Sequence, residues 1–193
     1  MPFRFLNACR AKYRDLWRDR GGASLIEVAF AMPILVTLLL GGVEIARYVL
    51  LHQKLDRVSS SIADLVSQAE NISVADLQNV FDAAQFVAKP FDLPADGTVI
   101  VSSISNPIGA PATRVNWQQA GAGSIPANSQ VGTPGGSVTL PAGFTVADGQ
   151  TIIIAEVFYD YVPWILGEIT GAKQIYHRAL FRPRYGGLTM LAP

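Results

Sequence analysis

Glu27 is the residue whose placement in this chain most directly implies chemistry. It is the only charged side chain between Ala23 and Val43. An ionised carboxylate at the edge of such an apolar stretch is costly and is seldom kept without a partner. Just ahead of it stands Gly22, in the run Gly21-Gly22-Ala23-Ser24-Leu25-Ile26-Glu27. Cleavage between Gly22 and Ala23 creates a new α-amine about one helical turn from Glu27. In a packed helical assembly, Glu27 of one subunit then pairs with the Ala23 amine of its neighbour. Without cleavage, Glu27 simply reaches back to the polar edge of a membrane. Spacing alone leaves both readings open, because one glycine and one glutamate make a weak pattern.

Other chemistry is sparse. His52 and His177 are the only histidines. His177 can be grouped on paper with Asp160 and Ser102, but no G-x-S-x-G elbow supports a nucleophile. Two histidines without cysteine partners or an H-E-x-x-H spacing make a poor zinc site. Gly135-Gly136 lacks the Lys-Ser/Thr of a phosphate loop, and Gly186-Gly187 is no better. The expectation is a protein with no catalytic residues, no cofactor and no metal. The single cysteine, Cys9, lies in the amino-terminal leader, so the rest of the chain can form neither a disulfide nor a thiolate site. Formal net charge is zero, which gives no global field toward nucleic acid. The aromatics Trp117, Trp164, Tyr159, Tyr161, Tyr176 and Tyr185 are assigned mainly to the core and hairpin faces, with a binding surface as the alternative.

The elements that must position Glu27 begin with a basic leader, residues 1–22. It carries Arg4, Arg10, Lys12, Arg14, Arg18 and Arg20 against Asp15 and Asp19. Val28–Val43 then reads VAFAMPILVTLLLGGV, uncharged, with Thr37 as its one polar side chain. Extended on both sides, residues 23–51 make a membrane span of the usual length of about 20 residues or more. The positive-inside rule places the leader in the cytoplasm and the rest of the chain across the membrane, with Arg47 and Tyr48 at the far interface. A cleaved secretory signal is less apt, since the run is long and no A-x-A-like site follows it. Pro33 and the pair Gly41-Gly42 are expected to bend the helix, and Gly42-x-x-x-Ala46 offers a small-residue packing surface.

Residues 52–193 are expected to form the domain beyond the span, helical over 52–89 and mainly β over 97–193. Leu51, Leu55, Val58, Ile62, Leu65 and Ala69 recur at helical spacing, which continues the span as an amphipathic helix to about Gln68. Ser73 with Asp76 predicts an N-cap and a second helix from Val74 to about Val87, with Leu77, Val80, Phe81, Ala84 and Val87 on its apolar face. Lys89-Pro90 ends it. Residues 98–104 read as a strand and 113–117 as its hairpin partner. Residues 119–136 form a long loop, Ser137–Leu140 a short strand, Thr151–Tyr161 a central strand and 175–182 a last strand. Together these give an α+β domain: an antiparallel sheet packed on the outer half of a long helix.

With these residues in view, the chain resembles the TadE-like family of tight-adherence (Flp-type) pilus assembly proteins. The block from Arg18 to Pro33, RDRGGASLIEVAFAMP, is similar to the family's opening: a basic residue, glycine, small residues, glutamate, an apolar pair and a proline. Tyr159-Asp160-Tyr161-Val162-Pro163 and Arg182-Pro183-Arg184 resemble features near the family's carboxy terminus. The resemblance implies a pseudopilin-like accessory subunit, trimmed between Gly22 and Ala23 by a prepilin peptidase, that initiates, anchors or caps a pilus. Its implied partners are that peptidase, other pilus subunits, inner-membrane assembly proteins and membrane lipid, with no nucleic acid. The location implied is the bacterial inner membrane, single-pass, with the domain periplasmic. Two alternatives stand beside it: an uncleaved membrane-anchored scaffold, and an adhesin-like binding module using the aromatic residues and the 119–136 loop.

Overall fold

The computed structural model describes residues 21–110, 112–165, 167 and 171–193. The basic leader up to residue 20, with Cys9, lies outside the described residues. The chain divides into two compact units, one ending at Ile45 and the other running Ala46–Pro193.

Helix α1, Gly21–Ser67, contributes to both units. In the first unit it is apolar on every side. Leu25, Phe30, Ile34, Leu35, Leu38 and Leu39 are all exposed. An 18-residue window here has mean hydropathy 2.2 and is 0 % buried, so by length and composition the helix can cross a membrane. A helix greasy all round is stable only in an apolar medium or packed on other helices. Past Ala46 the pattern narrows to one stripe. Leu51, Leu55, Val58, Ile62, Ala63 and Val66 are buried at helical spacing.

The second unit packs this stripe and helix α2, Val74–Ala88, against a sheet. Ser73 caps α2 as its sequence requires: the hydroxyl accepts from the Asp76 N–H at 3.1 Å, and the Asp76 carboxylate accepts from the Ser73 N–H at 3.0 Å. The Ser73 hydroxyl also donates to that carboxylate at 2.7 Å, and this bond, followed by the one from the Ser73 N–H, holds the Asp76 carboxyl below its ordinary value. A short helix α3, Leu93–Asp96, leads into strand β1, Gly97–Ser105. Strands β2 (Arg114–Gly121), β3 (Thr151–Tyr161) and β4 (Lys173–Phe181) complete an antiparallel sheet of order β2-β1-β3-β4. Strands β1 and β3 are central, which is why both are buried along nearly their whole length. Gly121 lies beneath the Phe81 ring of α2 with no room for a β-carbon, a close approach that only glycine permits.

Alternation sorts the sheet into two buried faces. Val99, Val101, Trp117, Ile153, Ala155 and Val157 meet the helices. Ile104, Val115, Ile152 and Ile154 face the other way and are covered by Val131 and Val146 from the segment between β2 and β3. That segment was expected to be a loop followed by a short strand. Its first residues belong instead to β2, and Ser137–Leu140 makes only an isolated bridge, Ser137 to Arg114. The helical stripe also differs in one place: Leu65 is half exposed, and Val66 takes the buried position. The step after Ile62 is four residues rather than three, which keeps the stripe on the sheet as the 3.6-residue turn drifts.

The carboxy-terminal tail closes the unit. The Arg184 N–H donates to the Ser67 carbonyl at the end of α1 (2.8 Å), and its guanidinium meets Asp64 at 3.0 Å. The Leu188 carbonyl accepts from both the Ser103 hydroxyl and the Trp117 indole N–H, at 2.7 and 2.8 Å. The Arg182-Pro183-Arg184 segment singled out in the sequence is therefore part of a helix cap.

Candidate functional site

Gly22, Ala23 and Glu27 all lie on the first turns of α1, and all are exposed. A β-carbon at Gly22, Gly41 or Gly42 would meet nothing within 4 Å, so none of these glycines is demanded by packing inside the chain. Pro33 sits inside the helix and removes the amide that would bond the carbonyl of Ala29. The Thr37 hydroxyl donates back to the Pro33 carbonyl at 2.8 Å, a bond that in helices often accompanies bending.

In the first unit this helix carries an exposed apolar surface on which Glu27 is the exposed carboxylate, Glu44 being buried. Residues 22–64 match the family model of the TadE-like proteins. Over that segment the chain is similar to the TadE-like family. The match opens on Gly22, takes in Glu27, Pro33 and the apolar run, and ends on the amphipathic part of α1. The sheet and its connections lie beyond it. No curated protein and no solved structure shows a match to the chain.

In the second unit the structure brings together groups that the sequence kept apart. His52 on α1 and His177 on β4 meet with Nδ1 and Nε2 2.8 Å apart. One ring nitrogen donates and the other accepts, so the contact holds only while at least one imidazole is neutral. Tyr48 stacks edge-on to His52 at 4.5 Å between ring centres and lies 5.5 Å from Tyr161. Asp56 lies 4.0 Å from the second nitrogen of His177. Burial and the neighbouring imidazole lower the His177 pKa, against an opposing pull from Asp56. Asp160 and Ser102, the paper partners of His177, do not join it: Asp160 accepts from Gln174, and Ser102 accepts from Gln118. Among the described residues no group of three or more His, Cys, Asp or Glu is placed to hold a metal ion.

Glu156 was not foreseen. It is fully buried on the outer face of β3. Its carboxylate accepts from the Ser129 hydroxyl, from the Gln130 N–H at 2.9 Å and from the Tyr176 hydroxyl at 2.9 Å. The signal was present in Thr151–Tyr161: a lone acid in the middle of an apolar strand must find donors. Burial and the Glu156 charge push the Tyr176 hydroxyl well above its ordinary range.

A cleft of about 640 Å³ opens beside Arg47, with Phe91, Asp96, Tyr159 and Trp164 in its lining. The Arg47 guanidinium carbon lies 3.1 Å from the Trp164 ring centre and 6.0 Å from that of Phe91. This is a cation–π stack on the tryptophan. The Tyr159 hydroxyl donates to Asp96, and burial followed by that charge pushes its pKa up to about 12. Trp117, Tyr159 and Tyr161 are core residues, while Trp164 and Tyr185 are exposed.

Proposed function

We propose that this chain is a pseudopilin-like accessory subunit of a tight-adherence pilus, inserted through its amino-terminal helix and trimmed between Gly22 and Ala23. The observation that carries the reading is the match to the TadE-like family over residues 22–64, on a helix whose apolar surface is exposed on every side. In this reading the leader stays in the cytoplasm, the apolar helix spans the inner membrane and the α+β domain lies in the periplasm. A prepilin peptidase releases the Ala23 amine. Glu27 then pairs with the freed amine of a neighbouring subunit, which offsets the cost of holding a carboxylate in an apolar helix bundle. Initiation, anchoring and capping of the filament are all served by that pairing. The protein acts by assembly, with no reaction of its own.

The adhesin-like alternative loses its main support in the 119–136 loop. Ser129, Gln130 and Val131 are tied to the sheet through Glu156 and the outer core, so this segment is a cover. The assembly reading is tested by Glu27→Ala in a piliated strain. It predicts loss of surface pili with the protein still in the membrane fraction. Normal piliation in that strain would contradict the pairing role.

A further inference from the structure

We infer that the tip between β3 and β4, Val162–Ile165, is a second membrane contact that rests in the headgroup region of the leaflet from which α1 emerges. The inference rests on the reading of the amino-terminal part of α1 as a membrane span. Strand β3 delivers a buried Tyr161 and then turns outward through Val162, Pro163, Trp164 and Ile165. Of these, Val162 is 56 % exposed, Trp164 73 % and Ile165 40 %. Apart from Tyr48–Leu50, which continue the apolar helix, exposed apolar residues elsewhere in the unit, such as Ile108 and Met190, are scattered singly, which is ordinary for a protein surface. Here three fall within four residues.

Their position gives the occupant. Arg47 is the second residue of the unit that opens at Ala46, so along the chain it directly follows the apolar helix. Its guanidinium lies on the face of Trp164. The tip is thereby held beside the first residues to leave the span. A tryptophan stacked on an arginine, flanked by aliphatic side chains, is the chemistry of the membrane–water interface. The indole prefers the headgroup level, and the guanidinium reaches lipid phosphates. The partner is the bilayer itself, continuous with the surface that the span already occupies.

Site-directed spin labelling of the full chain tests this. Cys9→Ser removes the only native thiol. In that background nitroxides are placed at Trp164→Cys, Val162→Cys, Leu38→Cys in the span and Ile108→Cys as an aqueous reference. The Val162 variant leaves the Arg47–Trp164 stack intact. Each protein is reconstituted in vesicles of phosphatidylethanolamine and phosphatidylglycerol, and collision with oxygen is compared with collision with a water-soluble nickel chelate. The expected result is an oxygen-to-nickel ratio several-fold higher at positions 162 and 164 than at 108, approaching that at 38. If 162 and 164 match 108 while 38 reports lipid, the tip is aqueous and the inference fails with the span intact. If 38 also reports water, both the span and the tip contact fail.

Discussion

Glu27 and Glu156 both sit in apolar surroundings, and each meets that cost differently. Glu156 is satisfied inside the molecule, by donors from the cover segment and from β4. Replacing it by alanine leaves these donors over the outer face of the sheet. We expect Glu156→Ala to cost about 1–3 kcal/mol in urea unfolding of the full chain in detergent. It should also open the segment between β2 and β3 to limited proteolysis. Glu27 has no such pocket, being exposed on an exposed helix, and its partner is sought in another subunit. The histidine pair adds a pH dependence with a definite sign. A lowered His177 pKa means that the folded state resists its protonation. The contribution is therefore complete above the ordinary value of 6.5 and is lost as pH falls through the lowered folded value. The groups facing the pair are Asp56, Tyr48 and Tyr161. Thermal midpoints should fall between neutral and mildly acidic pH in the wild type, and fall less in His177→Gln. An equal fall in both would show that other groups set the dependence.

Among the elements, α1 does two jobs with one helix, and the change from one to the other is a change of pattern. Apolar residues surround it before Ile45, whereas a single stripe serves the domain after Ala46. Leu55 is fully buried in that stripe and Leu65 is half exposed beside it. Leu55→Ala should cost about 2–5 kcal/mol in chemical denaturation followed by tryptophan emission. Leu65→Ala should change stability by no more than about 0.5 kcal/mol. Equal costs would mean that the stripe runs in the other phase. The helices, the capping box at Ser73 and the β3 strand were legible in the sequence because each is specified by neighbours within a few residues. The choice of Val66 over Leu65 was not, since both fit helical spacing and only the sheet beneath decides. The contact of His52 with His177 joins residues 125 apart and depends on the register that sets His177 opposite Val157. The cover over the outer face was missed for a similar reason. Glycine, proline and serine mark turns locally, while its anchors, Val131, Val146 and the Glu156 bonds, are all long-range.

At the scale of the whole molecule, the sequence separates an apolar helix from a domain that begins at Ala46 and includes the amphipathic remainder of α1. The family match, residues 22–64, covers the first and the start of the second. The candidate site was legible as residue types, in the spacing of Gly22, Ala23 and Glu27, because an acid in an apolar helix is conspicuous without any tertiary information. Its use depends on processing. The most direct measurement is the mass of the mature amino terminus of the membrane-extracted protein, made with and without an active prepilin peptidase. The account predicts a chain beginning at Ala23 that appears only when the peptidase is active. A chain that keeps its leader under both conditions, or one cut near Ala46, would contradict it.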